Sequence, residues 1–190
     1  LNTELTARMV RSAKPDKVIL ATGAKPIIPQ VPGIHNKNVV LAEDVLLGKS
    51  DTGMNVLVAG GGMVGSETAA YLGMQCKSKV TVIEMRDEIA LDMEAGIRDD
   101  LKDCLRRCYV DILTGTSLAG VTEEGALVKQ GHTVTLLPCD TIVLAIGTRA
   151  FCPLKDELEG ICETVTVGDA VKARQAIQAS SEGFYAGYHG

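Results

Sequence analysis

The chain has no apolar run long enough to span a bilayer, and residues 1–10 show neither the basic start nor the apolar core of a secretory leader. It has no basic cluster either. Its 19 lysines and arginines are scattered through a chain of net charge −5, which argues against a nucleic-acid partner or an anionic membrane surface. The six cysteines (Cys76, Cys104, Cys108, Cys139, Cys152 and Cys162) include no CxxC pair. Cys104 and Cys108 fall on the apolar stripe of an amphipathic helix over residues 93–108 and read as core packing. His35, His132 and His189 have no second ligand at metal spacing. The expectation is a compact α/β protein with reduced thiols, no metal, no membrane contact, a cytoplasmic location and a small-molecule partner.

What the chain does hold is a glycine-rich turn in an informative context. The apolar run Asn55–Ala59 leads into Gly60-Gly61-Gly62-Met63-Val64-Gly65, then a helix-like stretch, then a second apolar run, Lys79–Ile83, closed by Glu84. A glycine turn alone is a weak signal, and methyltransferases use a similar one. Strand, turn, helix, strand and terminal acid in this order form a dinucleotide-binding βαβ unit. Gly60 can take a positive φ, Gly62 leaves room for a pyrophosphate, and Gly65 lets the helix approach the strand. Gly61, Met63 and Val64 complete the turn and open a helix whose unpaired N–H groups and dipole favour an anion. Glu84 stands where a carboxylate can accept both hydroxyls of the adenosine ribose, which favours NAD(H) over NADP(H). A 2′-phosphate about 4 Å away would be repelled by on the order of 4 kcal/mol at an effective dielectric near 20. Met85 follows, and Arg86, returning to the same strand face, partly offsets that repulsion.

Residues 16–25 and 140–149 are one segment written twice, with aspartate, leucine, alanine and glycine in register and strand-like apolar runs between. The chain thus closes two nucleotide-binding units but opens one, since no glycine fingerprint precedes Asp16. A piece of a larger protein, with its first βαβ upstream, is the simplest account. Pro26, Pro29 and Pro32 suggest an extended crossing between domains. Residues 41–48 read as a short helix, and residues 109–113, 126–130 and 133–137 as a small antiparallel meander. A strand at 163–167, the pair Gly168-Asp169 and a helix over about 171–183 follow. On spacing alone Asp169 is a helix cap.

Pro15-Asp16, Ala21-Thr22-Gly23-Ala24, Pro32-Gly33, residues 60–69, Val82-Ile83-Glu84-Met85, Leu144-Ala145-Ile146-Gly147 and Val167-Gly168-Asp169 form an ordered set. It resembles the carboxy-terminal part of the dienoyl-CoA reductase, enoate reductase and NADH:flavin oxidoreductase group related to old yellow enzyme. The resemblance implies a Rossmann-like NAD(H) domain at 36–150, a parallel sheet with the meander, flanked by incomplete parts of an FAD domain at 1–35 and 151–190. It implies that Ala21, Thr22, Gly23, Gly168 and Asp169 face FAD, which reverses the capping reading of Asp169. Ala145, Ile146 and Gly147 would belong to the coenzyme site, with Gly147 bordering the nicotinamide, and Glu67 is a family glutamate at that end or an ordinary helix-face carboxylate.

Full-length members begin with a barrel carrying FMN and an iron–sulfur cluster. The barrel and the cluster cysteines are absent here, so the missing N-terminal region is the implied partner, a homo-oligomer stays open, and the chain alone is expected to hold no catalytic residue. Hydride would pass from NADH to FAD and onward to an enoate or enoyl-CoA-type substrate. Leu137-Pro138-Cys139 and Arg149-Ala150-Phe151 depart from the family's pattern. The rivals are a pyridine nucleotide–disulfide reductase fragment, which needs a redox cysteine pair, and a non-catalytic NAD-sensing module.

Overall fold

The computed structural model describes residues 2–189. The chain divides into two compact units, one made of the residues up to Lys25 and from Thr148 on, the other of Pro26–Gly147. The first opens with helix α1 (Ala7–Ala13), capped by the Thr6 hydroxyl, which accepts from the Met9 N–H. Only Ala7 and Val10 bury, too short a stripe to show as periodicity in the sequence. Strands β1 (Lys17–Leu20) and β2 (Ala24–Pro26) follow.

The second unit runs β3 (Val39–Leu41), α2 (Ala42–Leu46), β4 (Asn55–Ala59), α3 (Met63–Met74), β5 (Lys79–Ile83), α4 (Ala95–Arg107) and β6 (Asp111–Leu113). It continues through β7 (Thr116–Thr122), β8 (Gly125–Gln130) and β9 (Thr133–Pro138) to β10 (Thr141–Leu144). Five strands pair in the order β3-β10-β4-β5-β6, each parallel to its neighbour. This is the Rossmann-like parallel sheet expected from the apolar runs.

Strand alternation divides the core in two. Val56, Val58, Val80, Val82 and Val143 pack with Ala69, Leu72 and Leu105 of the helices. Leu57, Ala59, Ile83, Ile142 and Leu144 pack with Val121, Ala126 and Val128 of the antiparallel meander β7-β8-β9. Both faces of the sheet are therefore covered, which is why its central strands carry no polar alternation. Leu101, Cys104 and Cys108 pack against the helix-side core, while Ile97 of the same stripe is exposed.

One expectation about the strands needs correction. Residues 109–113 do not start the meander: Asp111–Leu113 pairs parallel with β5, because the crossover through α4 returns to the same sheet. The first meander strand is β7, whose register shift between Leu118 and Gly120 hides its alternation. The proline-containing stretch is extended, as expected, and from Pro26 on it packs within the central unit. The Pro32 carbonyl accepts the Val121 N–H at 2.8 Å, and Ile34 is buried in the meander-side core.

Past Gly147, β11 (Thr148–Ala150) and β12 (Glu163–Thr166) belong to the first unit, where β12 pairs parallel with β1. The last helix, α5 (Ala176–Tyr188), starts later than the expected 171 because Gly168–Ala170 forms a 3-10 turn first. No residue of α5 is buried.

Candidate dinucleotide site

Gly60 leaves β4 with φ +105°, its N–H bonded to the Ile83 carbonyl at 2.9 Å, and a Cβ there would lie 2.5 Å from the Ala145 carbonyl oxygen. A Cβ on Gly65 would lie 1.9 Å from the Gly60 carbonyl oxygen, so α3 can approach the strand only without a side chain at 65. Gly61 is bare because a Cβ there would lie 2.8 Å from Ile89 and 2.9 Å from the Glu84 stem. Gly62 differs. A Cβ there would meet nothing nearer than the tip of Asp92, at 3.3 Å, so the fold itself does not demand glycine at this position. The space that Gly62 leaves opens into a cavity of about 330 Å³.

Gly60, Gly62, Met63 and Val64 line that cavity on the turn side. Glu84, Met85 and Arg86 line it from the end of β5, and Ala145, Ile146 and Gly147 from the end of β10. Gly61 and Gly65 are buried behind this wall, and Glu67 is exposed on α3 and does not line it. Sequence reasoning missed Asp92 and the β7 residues Thr116, Ser117 and Leu118, which also line the cavity. Asp92 lies in a loop between β5 and α4 that matches no motif, so only the folded chain reveals it.

Glu84 is 8% exposed and already engaged. One oxygen accepts the Gly61 N–H at 2.7 Å; the other accepts the Arg86 backbone N–H at 2.9 Å and its Nε–H at 3.1 Å. Burial alone would push this carboxyl up. The N–H bonds from Arg86 and Gly61, together with the Arg86 guanidinium, outweigh burial and hold it below the usual glutamate value. Of a carboxylate's roughly four acceptor positions, three are taken and about one is left for a ribose hydroxyl, so the expected free acid is an anchored one. The same bond tethers Arg86. Asp92 takes the Met63 N–H with both oxygens, at 2.9 and 3.1 Å.

The remaining sequence-predicted residues lie in the other unit. Ala21 and Thr22 are exposed, the Thr22 hydroxyl donates to the Phe151 carbonyl, and Gly23 turns with φ +74°. Gly168, φ +64°, donates its N–H to Glu182 at 2.8 Å, and that bond, then Arg174, holds the Glu182 carboxyl below its ordinary value. Asp169 accepts the Arg174 N–H at 3.2 Å, closing a turn ahead of α5 and not capping the helix itself.

A glycine turn at a strand end, a helix N-terminus and an acid on the next strand are thus assembled around one cavity. The sequence matches the pyridine nucleotide-disulphide oxidoreductase family over residues 3–186. The chain belongs to this family.

Among relatives of this oxidoreductase domain, a metal reductase of Desulforamulus reducens is 33% identical over 92% of the chain and 30% of its own length. An NADH oxidase of Thermoanaerobacter brockii is 36% identical over 94% of the chain and 28% of its own length. The structure of a 2-naphthoyl-CoA reductase superposes with a TM-score of 0.86 at 29% identity, covering 97% of the chain and 28% of that protein. The chain thus spans about three tenths of the length of these relatives. Among the described residues no helix is long and apolar enough to cross a membrane, and no three potential ligands are grouped for a metal ion.

Proposed function

We propose that residues 26–147 bind NAD(H) for a flavoprotein reductase of the dienoyl-CoA reductase, enoate reductase and NADH:flavin oxidoreductase group, and that the flanking residues form part of its FAD domain. One observation carries the reading: Gly62 is the one glycine of the turn that the fold does not require, and it stands bare at a helix N-terminus facing the cavity. Pyrophosphate approach supplies the reason for its lack of a side chain.

The N–H groups opening α3 would hold the pyrophosphate, Glu84 and Arg86 the adenosine ribose end, and Ile146 and Gly147 the nicotinamide end. Ala21 to Gly23, Gly168 and Asp169 would face the flavin. The chemistry supplied there is hydride donation from reduced nicotinamide to flavin, with electrons passed to an enoate or enoyl-CoA-type acceptor; the likeness to a reductase of an aromatic acyl-CoA supports that class. Residues preceding Leu1 in the same polypeptide would complete the FAD domain and carry the FMN and iron–sulfur centre, in the cytoplasm.

Titration calorimetry of the chain should show saturable binding, tighter for NADH than for NADPH. Gly62→Val should abolish both while circular dichroism and the unfolding midpoint stay close to wild type. Retained micromolar affinity in that variant, or no saturation by either coenzyme on folded wild type, overturns the reading.

A further inference from the structure

We infer that Asp92 is a built-in competitor for the coenzyme's pyrophosphate, an inference that rests on the coenzyme site proposed above. Gly62 is the N-cap residue of α3 and, being bare, makes no side-chain cap bond. Asp92, 29 positions along the chain, supplies that cap from a distance, both carboxylate oxygens on the Met63 N–H. This is one of the donors that a dinucleotide phosphate would claim. Two anions cannot share it, because a carboxylate beside a phosphate is repelled while each alone is favoured by the helix end.

The segment that carries Asp92 is fastened to the same glycine turn. The Ala90 N–H donates to the Gly61 carbonyl at 2.6 Å, and Ile89 and Ala90 are fully buried. Ala90 holds φ +53°, a left-handed conformation that alanine adopts only when its surroundings impose it. Beyond Asp92, the Met93 N–H returns to the Ala90 carbonyl at 3.0 Å, and Glu94 caps α4 by accepting from Gly96 and Ile97. The backbone is held on both sides while the Asp92 side chain is exposed, so the carboxylate can rotate away without the strap moving.

The Asp92 carboxylate and the Arg86 guanidinium flank the open side of Gly62, at 3.3 and 3.9 Å from where its Cβ would be. A phosphate entering there would meet the cation and displace the anion. The arrangement trades coenzyme affinity for a stable α3.

Asp92→Asn removes the charge and keeps an amide oxygen able to accept from Met63. It should tighten NADH at least about threefold, the scale of a charge at a helix end, and tighten ADP-ribose equally, because the gain belongs to the pyrophosphate. Without coenzyme, its thermal midpoint should fall by about 1–3 °C. Asp92→Ser, too short to cap, should show the same pair of opposite changes. Unchanged or weaker NADH binding in either folded variant overturns the inference and leaves the site proposal standing. No saturation of wild type by NADH or ADP-ribose removes the site proposal, and this one with it.

Discussion

Glu84 does two jobs with the same two oxygens, fastening the glycine turn through Gly61 and steadying Arg86 beside the cavity. Glu84→Ala should therefore weaken NADH more than NADPH in calorimetric titration, since the proposed repulsion of a 2′-phosphate disappears, and it should also lower the unfolding free energy. The carboxyl sits below its unfolded value in the folded chain. Its contribution to stability is thus fully present above the unfolded value of about 4.3 and is lost as pH falls through the folded one. Urea unfolding of wild type and Glu84→Gln should give a gap that is constant above about pH 5 and closes on acidification. The glycines divide in the same physical way. Gly65→Ala should cost more than about 2 kcal/mol of stability by chemical denaturation, since its methyl would overlap the Gly60 carbonyl oxygen.

At the scale of elements, the strands the chain announces most clearly are those buried on both faces. β4, β5 and β10 stand where their apolar runs put them, because a strand covered by helices and by the meander has no polar face to obscure it. β6 was legible as a strand within residues 109–113 but not as a member of the parallel sheet, and β7 was not assigned. β6 is a three-residue edge strand, and β7 carries a bulge, so neither offers a clean period of two. Asp140, noticed only as the start of a repeated segment, proves to set the start of β4: one carboxylate oxygen accepts the Met54 and Asn55 N–H groups, each at 2.9 Å. Gly53 passes so close that a Cβ would fall 2.1 Å from that carboxylate. Asp140→Ala should lower stability by about 1–2 kcal/mol in urea melts, on the scale of charge-assisted hydrogen bonds near the surface. Asp140→Asn should recover part of the loss.

Across the whole molecule, the two units differ in how far their sheets are built. The central unit has five parallel strands covered on both faces; in the other, β1 and β12 form a two-stranded parallel sheet that packs Val18 and Leu20 against Ala7, Val10 and Leu158 on one face and leaves Ile19 43% exposed on the other. On α5, Ile177, Phe184, Tyr185 and Tyr188 are all more than half exposed. A two-stranded sheet covered on one face by so small a cluster is less stable than five strands covered on both. Amide hydrogen exchange should accordingly be slowest in β4, β5 and β10 and faster in β1, β12 and α5, with saturating NADH adding protection around Gly60 to Val64. Uniform protection across both units would contradict the difference in packing.

The chain's own order of residues determined the parallel α/β sheet and the glycine turn between β4 and α3, because strand burial and turn conformation are local demands that apolar runs and glycines write directly. It also showed that Glu84 belongs with that turn. Only the tertiary structure decided that Glu84 is anchored, that Gly62 is the one glycine of the turn bare without steric need, and that Asp92 reaches the first N–H of α3 from a motif-free loop. Those are relations between segments distant in sequence, and such distances are set by how the chain packs.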